Sequence, residues 1–283
     1  MATPTGYGLL VIGGGNMGGA IVRGAIKAGV LPSASVCIVD PDPAKRQTFG
    51  QEGITTADTI LGAAAGLDSD TIVLWAVKPQ MFPDAAASYR HAVEPLALAN
   101  RPSLGISIMA GITAAAATEH SRMPLIVRTM PNLPAQLGLG VTAVCQPDEA
   151  SDADMAAVHR LLGAVGTVVP LAEPLLDAFT AIAGSGPAYL FYLAEAMVRS
   201  AVAQGIPPAQ ADAIVRHTLA GSAALLAGRT DANPAQLRSE VTSKGGTTAA
   251  AVTVLDEAGV ANALVQAIEA GTTRSRELGL ANR

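Results

Sequence analysis

The sequence predicts an α/β fold over residues 1–170, a doubly wound parallel sheet, followed by an all-helical domain over residues 171–283. Three observations predict it. Short β-like runs alternate with helical stretches from residue 7 to residue 170. After Pro170 those runs stop, and apolar residues recur at helical spacing. The composition is half hydrophobic yet only 3% aromatic, with Ala and Gly supplying much of the apolar fraction, which suits closely packed helices. At 283 residues the chain is long enough for two domains, each with its own core.

The strand candidates are Tyr7–Ile12, Ser35–Val39, Thr71–Ala76, Leu104–Ile108, Leu125–Val127, Val141–Cys145 and Val165–Val169. Ala-rich segments such as Met17–Ala28 and Asp84–Val93 lie between them as helices, so the sheet is expected to be parallel and covered on both faces. Beyond Pro170, Leu175, Leu176, Phe179, Ile182 and Ala183 share a helical stripe, as do Leu190, Leu193, Met197 and Ala201. Gly205-Ile206-Pro207-Pro208 and Ala232-Asn233-Pro234 punctuate these helices. The apolar content is high for about 110 residues of helical bundle (its span read from the sequence), so some stripes are expected to bury against a second subunit.

Composition also excludes function classes. Net charge is −5, and Lys and Arg are scattered singly, with no basic stripe for nucleic acid and no basic amphipathic stretch for a membrane surface. Cys37 and Cys145 stand far apart without CxxC spacing and read as buried thiols of a reducing compartment. His91, His120, His159 and His217 are isolated, so no metal site is expected. Residues 1–22 carry no charge, but the apolar run Leu9–Ile12 is too short for a signal peptide; a cytoplasmic location follows as the expectation. The uncharged run Thr129–Pro147 is broken by prolines, Asn132 and Gln136 and does not suit a bilayer.

Leu9-Leu10-Val11-Ile12 runs into Gly13-Gly14-Gly15-Asn16-Met17-Gly18, a buried strand, a glycine turn and a helix start. Gly13, Gly15 and Gly18 fit G-x-G-x-x-G, in which the three glycines permit the tight turn, the close approach of a pyrophosphate, and helix–strand packing. The helix start offers free N–H groups and a positive dipole to the anion. This is the signature of a Rossmann-like dinucleotide site, with Asn16 and Met17 on its first turn. Asp40 lies 22 positions beyond Gly18 at the end of the second strand, placed to accept the adenosine ribose 2′-OH and favour NADH; as a turn former before Pro41 it has a second reading. Lys45 and Arg46 follow and can pair with a 2′-phosphate, so the choice between NADPH and NADH stays open. Ala76-Val77-Lys78-Pro79 ends another strand, where Lys78 can meet a cofactor phosphate or ribose, or simply lie in solvent at a loop start.

Three further segments carry unusual residue patterns. In Arg128-Thr129-Met130-Pro131-Asn132-Leu133-Pro134 two prolines flank Asn132, which can present a donor and an acceptor to a nicotinamide carboxamide. Gly184-Ser185-Gly186-Pro187-Ala188-Tyr189 opens a long helix. Val241-Thr242-Ser243-Lys244-Gly245-Gly246-Thr247-Thr248-Ala249 is a hydroxyl-rich glycine turn at another helix start. Its N–H groups and hydroxyls can form a carboxylate-binding nest, or the hydroxyls can cap the helix.

In this order the segments Gly13–Ile21, Ala76–Pro79, Ser107–Gly111, Met130–Pro134, Gly184–Tyr189 and Val241–Asp256 closely resemble the Δ1-pyrroline-5-carboxylate reductase family, across nearly the whole chain. The SxGGTT core is the most specific of them. The resemblance implies hydride transfer from NADPH or NADH to the imine carbon of a five-membered ring bearing a carboxylate, giving L-proline. It further implies that Ser243, Gly245, Gly246, Thr247 and Thr248 grip the carboxylate, with Ser243 and Thr248 as catalytic-site hydroxyls and Thr248 beside the ring nitrogen. It implies a homodimer through the C-terminal helices, with rings of dimers in some members and the active site between a nucleotide domain and a helical domain.

The chain departs from the family at Lys244, where proline is usual, and at Leu133, where threonine is usual; Ala183 and Met109 also differ. Asp40 departs from members that prefer NADPH. Two other functions are weighed against the reductase: turnover of a related cyclic imine, since one methylene is worth only about 1–3 kcal/mol, and a non-catalytic dinucleotide sensor, against which the intact Ser243–Thr248 loop speaks.

Overall fold

The computed structural model describes residues 6–281; the first five residues of the uncharged N-terminal stretch lie outside it. The first part of the chain alternates β1 (Leu9–Ile12), α1 (Asn16–Lys27), β2 (Val36–Val39), α2 (Pro43–Gln51), β3 (Thr55–Ala57), α3 (Ile60–Ala63), β4 (Ile72–Trp75) and α4 (Phe82–Val93). It continues with β5 (Leu104–Ser107), α5 (Ala114–Ser121), β6 (Leu125–Met130), β7 (Gly140–Val144), α6 (Asp152–Gly163) and β8 (Gly166–Pro170). The strands form one sheet in the order β3-β2-β1-β4-β5-β6-β7-β8. All seven expected strands are present to within a few residues, and the last ends at Pro170.

Two features differ from the expectation. β3 carries the polar sequence Thr-Thr-Ala at the sheet edge and leaves no hydrophobic alternation to read. The sheet is not wholly parallel: β7 pairs antiparallel with β6, and β8 runs parallel to β7. The short 133–137 turn between β6 and β7 is the cause, since a parallel neighbour needs a crossover of a dozen residues or so.

Both sheet faces are covered, as the burial of every residue of β1 requires. Leu9 and Val11 point to the layer of α1 and α6, where Ile21, Val22, Val158 and Leu161 are buried. Leu10 and Ile12 point to the opposite layer, with Trp75, Phe82 and Tyr89. There the Trp75 ring meets Phe82 and Tyr89 edge-on at 5.3 Å, and its N–H donates to Met123 Sδ at 3.4 Å. Each such buried side chain contributes about 1.5–3 kcal/mol of transfer free energy. Local signals start the helices: Asp42 caps α2 ahead of Pro43, and Ser151 with Asp154 forms a capping box on α6.

After Pro170 the described chain is helical: α7 (Leu176–Phe179), a π-helical turn (Thr180–Gly184), α8 (Gly186–Ala203), α9 (Pro208–Gly228), α10 (Pro234–Glu240), α11 (Thr247–Glu257) and α12 (Val260–Ala281). The compact units divide elsewhere than at residue 170. The first comprises residues up to 184 together with 271 onward, and the second residues 185–270. In the second unit α8 packs against α9. Among its described residues only Ala211 and Val215 are buried hydrophobics, while Phe191 is 58% and Tyr192 77% exposed.

Candidate functional site

The strand order reverses at β1: the chain goes from β1 to β2 on one side and returns to β4 on the other. Such a switch point opens a crevice at the carboxyl ends of the strands. A cleft of about 700 Å³ lies there, bringing together Gly13, Gly15, Asp40, Ala76, Val77 and Lys78. Gly13 sits at φ +106°, and a Cβ there would stand 2.6 Å from the Ala76 carbonyl oxygen. Gly18 is equally constrained, since its Cβ would stand 2.6 Å from the Gly13 carbonyl oxygen and 3.1 Å from Ala76 Cβ. A Cβ at Gly15, by contrast, would meet nothing within 4 Å. Gly15 is the N-cap of α1, and no side chain caps it. The first amides of α1 are therefore free beside open space, which fits a dinucleotide pyrophosphate. Asn16 is exposed on that first turn, while Met17 leans on the core.

Asp40 is 4% exposed and its carboxylate is already engaged. Oδ2 accepts from the Gly14 N–H at 2.8 Å and Lys45 Nζ at 3.0 Å, and Oδ1 accepts from the Asp42 N–H at 2.9 Å. Burial alone pushes its pKa up, but the Asp42 N–H, Lys45 and the Gly14 N–H together hold it below the ordinary 3.8. The side chain expected to meet the ribose thus staples the glycine turn to the end of β2. Lys45 is its ion-pair partner, and Arg46 donates to the carbonyls of Asp40 and Pro41 at 2.9 and 2.8 Å. Lys78 is exposed at the cleft, and Pro79 opens the short 79–81 helical turn.

Asn132 lies outside this cleft and is 8% exposed. Its Nδ2 donates to the Ala183 carbonyl at 3.1 Å, and its Oδ1 accepts from the Val141 N–H at 2.9 Å. The amide expected to face the nicotinamide is spent on holding the 131–134 loop to the π-helical turn and to β7. One N–H of Nδ2 remains.

In the second unit Gly245 adopts φ +71°, turning the chain into α11. Gly246 is the N-cap, and no side chain caps this helix either, so Ser243, Thr247 and Thr248 do not act as caps. The Gly246 N–H donates to the Ser243 carbonyl at 3.0 Å, closing the turn, and a Cβ at Gly246 would collide with Ser243 Oγ. The three hydroxyls and the first amides of α11 stay available on a partly exposed surface.

The part-buried pair Arg128–Glu173, at 2.9 Å, carries no local sequence signal, because its members lie 45 residues apart. Among the described residues no group of three or more His, Cys, Asp or Glu is placed to hold a metal. Cys37 and Cys145 are free and buried, and burial pushes both thiols up to about 11.

Two outcomes follow from this geometry. Gly13→Ala should weaken dinucleotide binding in a fluorescence titration by about 5-fold or more, the strain being about 1–3 kcal/mol; unchanged affinity would contradict the turn assignment. Asp40→Asn should destabilise the protein in denaturant at pH 7. Because the native pKa is depressed, that difference is full above pH 3.8 and disappears as pH falls through the native value, so the two proteins should converge at acid pH.

Comparison with known proteins places this geometry. Residues 173–278 match the family model described as pyrroline-5-carboxylate reductase dimerisation, and residues 9–111 match one described as NADP oxidoreductase coenzyme F420-dependent. The chain is 37% identical over 277 residues to the pyrroline-5-carboxylate reductase of Thermus thermophilus, covering 96% of this chain and 98% of that one. The solved structure of the pyrroline-5-carboxylate reductase from Coxiella burnetii superposes with a TM-score of 0.84 at 29% identity, covering 96% of this chain and 98% of its own. The pyrroline carboxylate reductase of Plasmodium falciparum with NADP bound shares the fold, with a TM-score of 0.82 at 24% identity, covering 99% and 100% of the two chains. A glycine turn at a switch point, an SxGGTT helix start and near-complete coverage at 37% identity agree: the chain belongs to the pyrroline-5-carboxylate reductase family.

Proposed function

We propose that the protein reduces Δ1-pyrroline-5-carboxylate to L-proline with NADPH or NADH. The observation that carries this reading is the uncapped start of α11. It leaves the hydroxyls of Ser243, Thr247 and Thr248, the Gly245–Gly246 turn and the first amides of the helix free for a carboxylate. Such a nest grips an anion without an arginine and needs no desolvated countercharge.

Gly13, Gly15, Gly18 and the first turn of α1, with Asn16 and Met17, hold the pyrophosphate. Asp40 sets the glycine turn, and Ala76, Val77 and Lys78 line the cleft beside it, with Pro79 fixing the turn that follows. The nicotinamide, when bound, supplies the hydride. Thr248 Oγ accepts a hydrogen bond from the ring N–H of the iminium, which fixes the face that the ring presents. An iminium arrives already protonated, so the site orients it and needs no strong general acid. The hydride pair forms the new C–H bond, the C=N π pair moves onto nitrogen as its lone pair, and the proton already on nitrogen stays there, so the step balances without a further acid. Asn132 acts by holding its loop and by the one N–H it has left. Arg46 is pinned to backbone carbonyls and Lys45 to Asp40, so a 2′-phosphate gains Lys45 only by drawing it from the carboxylate; the two cofactors are therefore expected to differ modestly.

The exposed apolar surface of α8, α9, α11 and the first part of α12 matches the dimerisation model and supports a homodimer. The two free thiols suit a reducing cytoplasm. Among the described residues no single helix is long and apolar enough to cross a membrane.

With Δ1-pyrroline-5-carboxylate, purified protein should oxidise NADPH or NADH at 340 nm, and Thr248→Ala should lower kcat/KM by about 10- to 100-fold, the worth of a hydrogen bond to a charged group. Cofactor binding without turnover of this or the related cyclic imines would favour the sensor reading. Light scattering at micromolar concentration should give at least twice the 28.4 kDa of one chain, higher multiples marking rings of dimers; a monomer would contradict the interface.

A further inference from the structure

A second, smaller cleft of about 280 Å³ lies within the first unit, where residues 271–281 come back to the sheet. Its walls are Gly111, Thr113, Arg128, Asp177, Arg276 and Gly279. A Cβ at Gly279 would stand 3.6 Å from the Gly111 carbonyl oxygen, so the returning helix lies close to the turn after β5. The volume sits at the lower end of the range for small-molecule sites, enough for an amino acid and too little for a nucleotide.

Arg128 gives this cleft its chemistry. The residue is 8% exposed, and of its nitrogens only Nη1 is used, donating at 2.9 Å to Glu173 Oε1. That oxygen also accepts from the Ala114 N–H at the start of α5, at 2.9 Å. Nε of Arg128 is buried with no partner, and Nη2 has none among the described residues. Nε has almost no accessible surface and is out of a ligand's reach, so Nη2 is the Arg128 nitrogen left for an oxyanion. Arg276 supplies a second guanidinium, exposed and without a carboxylate partner among the described residues. Asp177 supplies the one carboxylate of the wall; its Oδ1 accepts from Ser275 Oγ at 2.6 Å, which leaves Oδ2 open. Two cations and one anion among the lining residues suit a ligand that carries both signs.

We propose that this cleft binds a small amino acid as its zwitterion, with the carboxylate on Arg128 and Arg276 and the ammonium on Asp177. Bound there, it ties β6, α7 and the last turns of α12 together, at a place separate from the cleft of the glycine turn. The inference stands apart from the proposed reaction, because binding is measured without cofactor or turnover.

The test is isothermal titration of the full-length, cofactor-free protein with L-proline, L-alanine and acetate. The amino acids should bind at least about tenfold more tightly than acetate, one charge-assisted contact in affinity terms. Arg276→Gln, on an exposed side chain, should weaken them by about tenfold or more. Asp177→Asn, which keeps the acceptor for Ser275, should bring them down to the level of acetate. Thr248→Ala, which removes a contact of the proposed product site, should leave the preference for L-alanine over acetate in place. No binding of any probe, equal binding of acetate and amino acids to the unaltered protein, binding that survives both Arg276→Gln and Asp177→Asn, or loss of the preference for L-alanine in Thr248→Ala would each overturn the proposal. Turnover of Arg276→Gln, measured separately, should stay within about twofold of the unaltered protein, since surface changes away from a site are usually near neutral.

Discussion

Three backbone segments meet at the end of β1 with no room for a side chain between them. Gly13 lies against the carbonyl of Ala76, and Gly18 lies against the carbonyl of Gly13, so β1, α1 and the end of β4 approach as closely as peptide groups allow. That contact fixes where α1 begins and how it lies on the sheet. It also leaves the first amides of α1 facing the crevice. The Gly14 N–H adds a staple to Asp40, which carries the constraint across to β2. The cleft is therefore a product of backbone proximity more than of side-chain chemistry, and the glycines are where that proximity is written.

This explains which features were legible in the sequence. Residue types that only one backbone geometry tolerates announce themselves locally: Gly13 and Gly18 in the first turn, Gly245 and Gly246 in the last. Buried strands such as Leu9–Ile12 and Val36–Val39 read as continuous apolar runs because both faces are covered. What stayed hidden depends on partners distant in sequence. Asp40 sits where a ribose ligand would be sought, yet its three donors come from Gly14, Asp42 and Lys45, and no spacing rule says which of ribose or protein it serves. Asn132 reads as a free amide between prolines, but Ala183 lies 51 residues away and claims its N–H. The polar strand Thr55–Ala57 was silent for another reason: an edge strand can be held by its ladder alone.

The two glycine turns solve a related electrostatic problem in the same way. Each starts a helix of eleven or twelve residues with a glycine N-cap and no capping side chain. Five other helices carry side-chain caps, from Asp42, Thr59, Thr113, Ser151 and Asn233, while α4, α7, α8 and α9 also start without one but have no glycine at the N-cap. A helix that forgoes a cap gives up on the order of 1 kcal/mol, and at these two starts the amides stay available to an anion.

The second unit has a consequence for how the protein persists in solution. In residues 185–270 only Ala211 and Val215 are buried hydrophobics, while large apolar side chains such as Phe191 and Tyr192 stay exposed and can gain burial against another chain. Where copies of the chain associate through these helices, as the match to the dimerisation model supports, each serves as the stabilising ligand of another, and the free energy of unfolding grows with the logarithm of protein concentration. A change on α8 or α9 would act first on abundance and only later on catalysis. Dilution alone could silence an enzyme whose nucleotide site is intact.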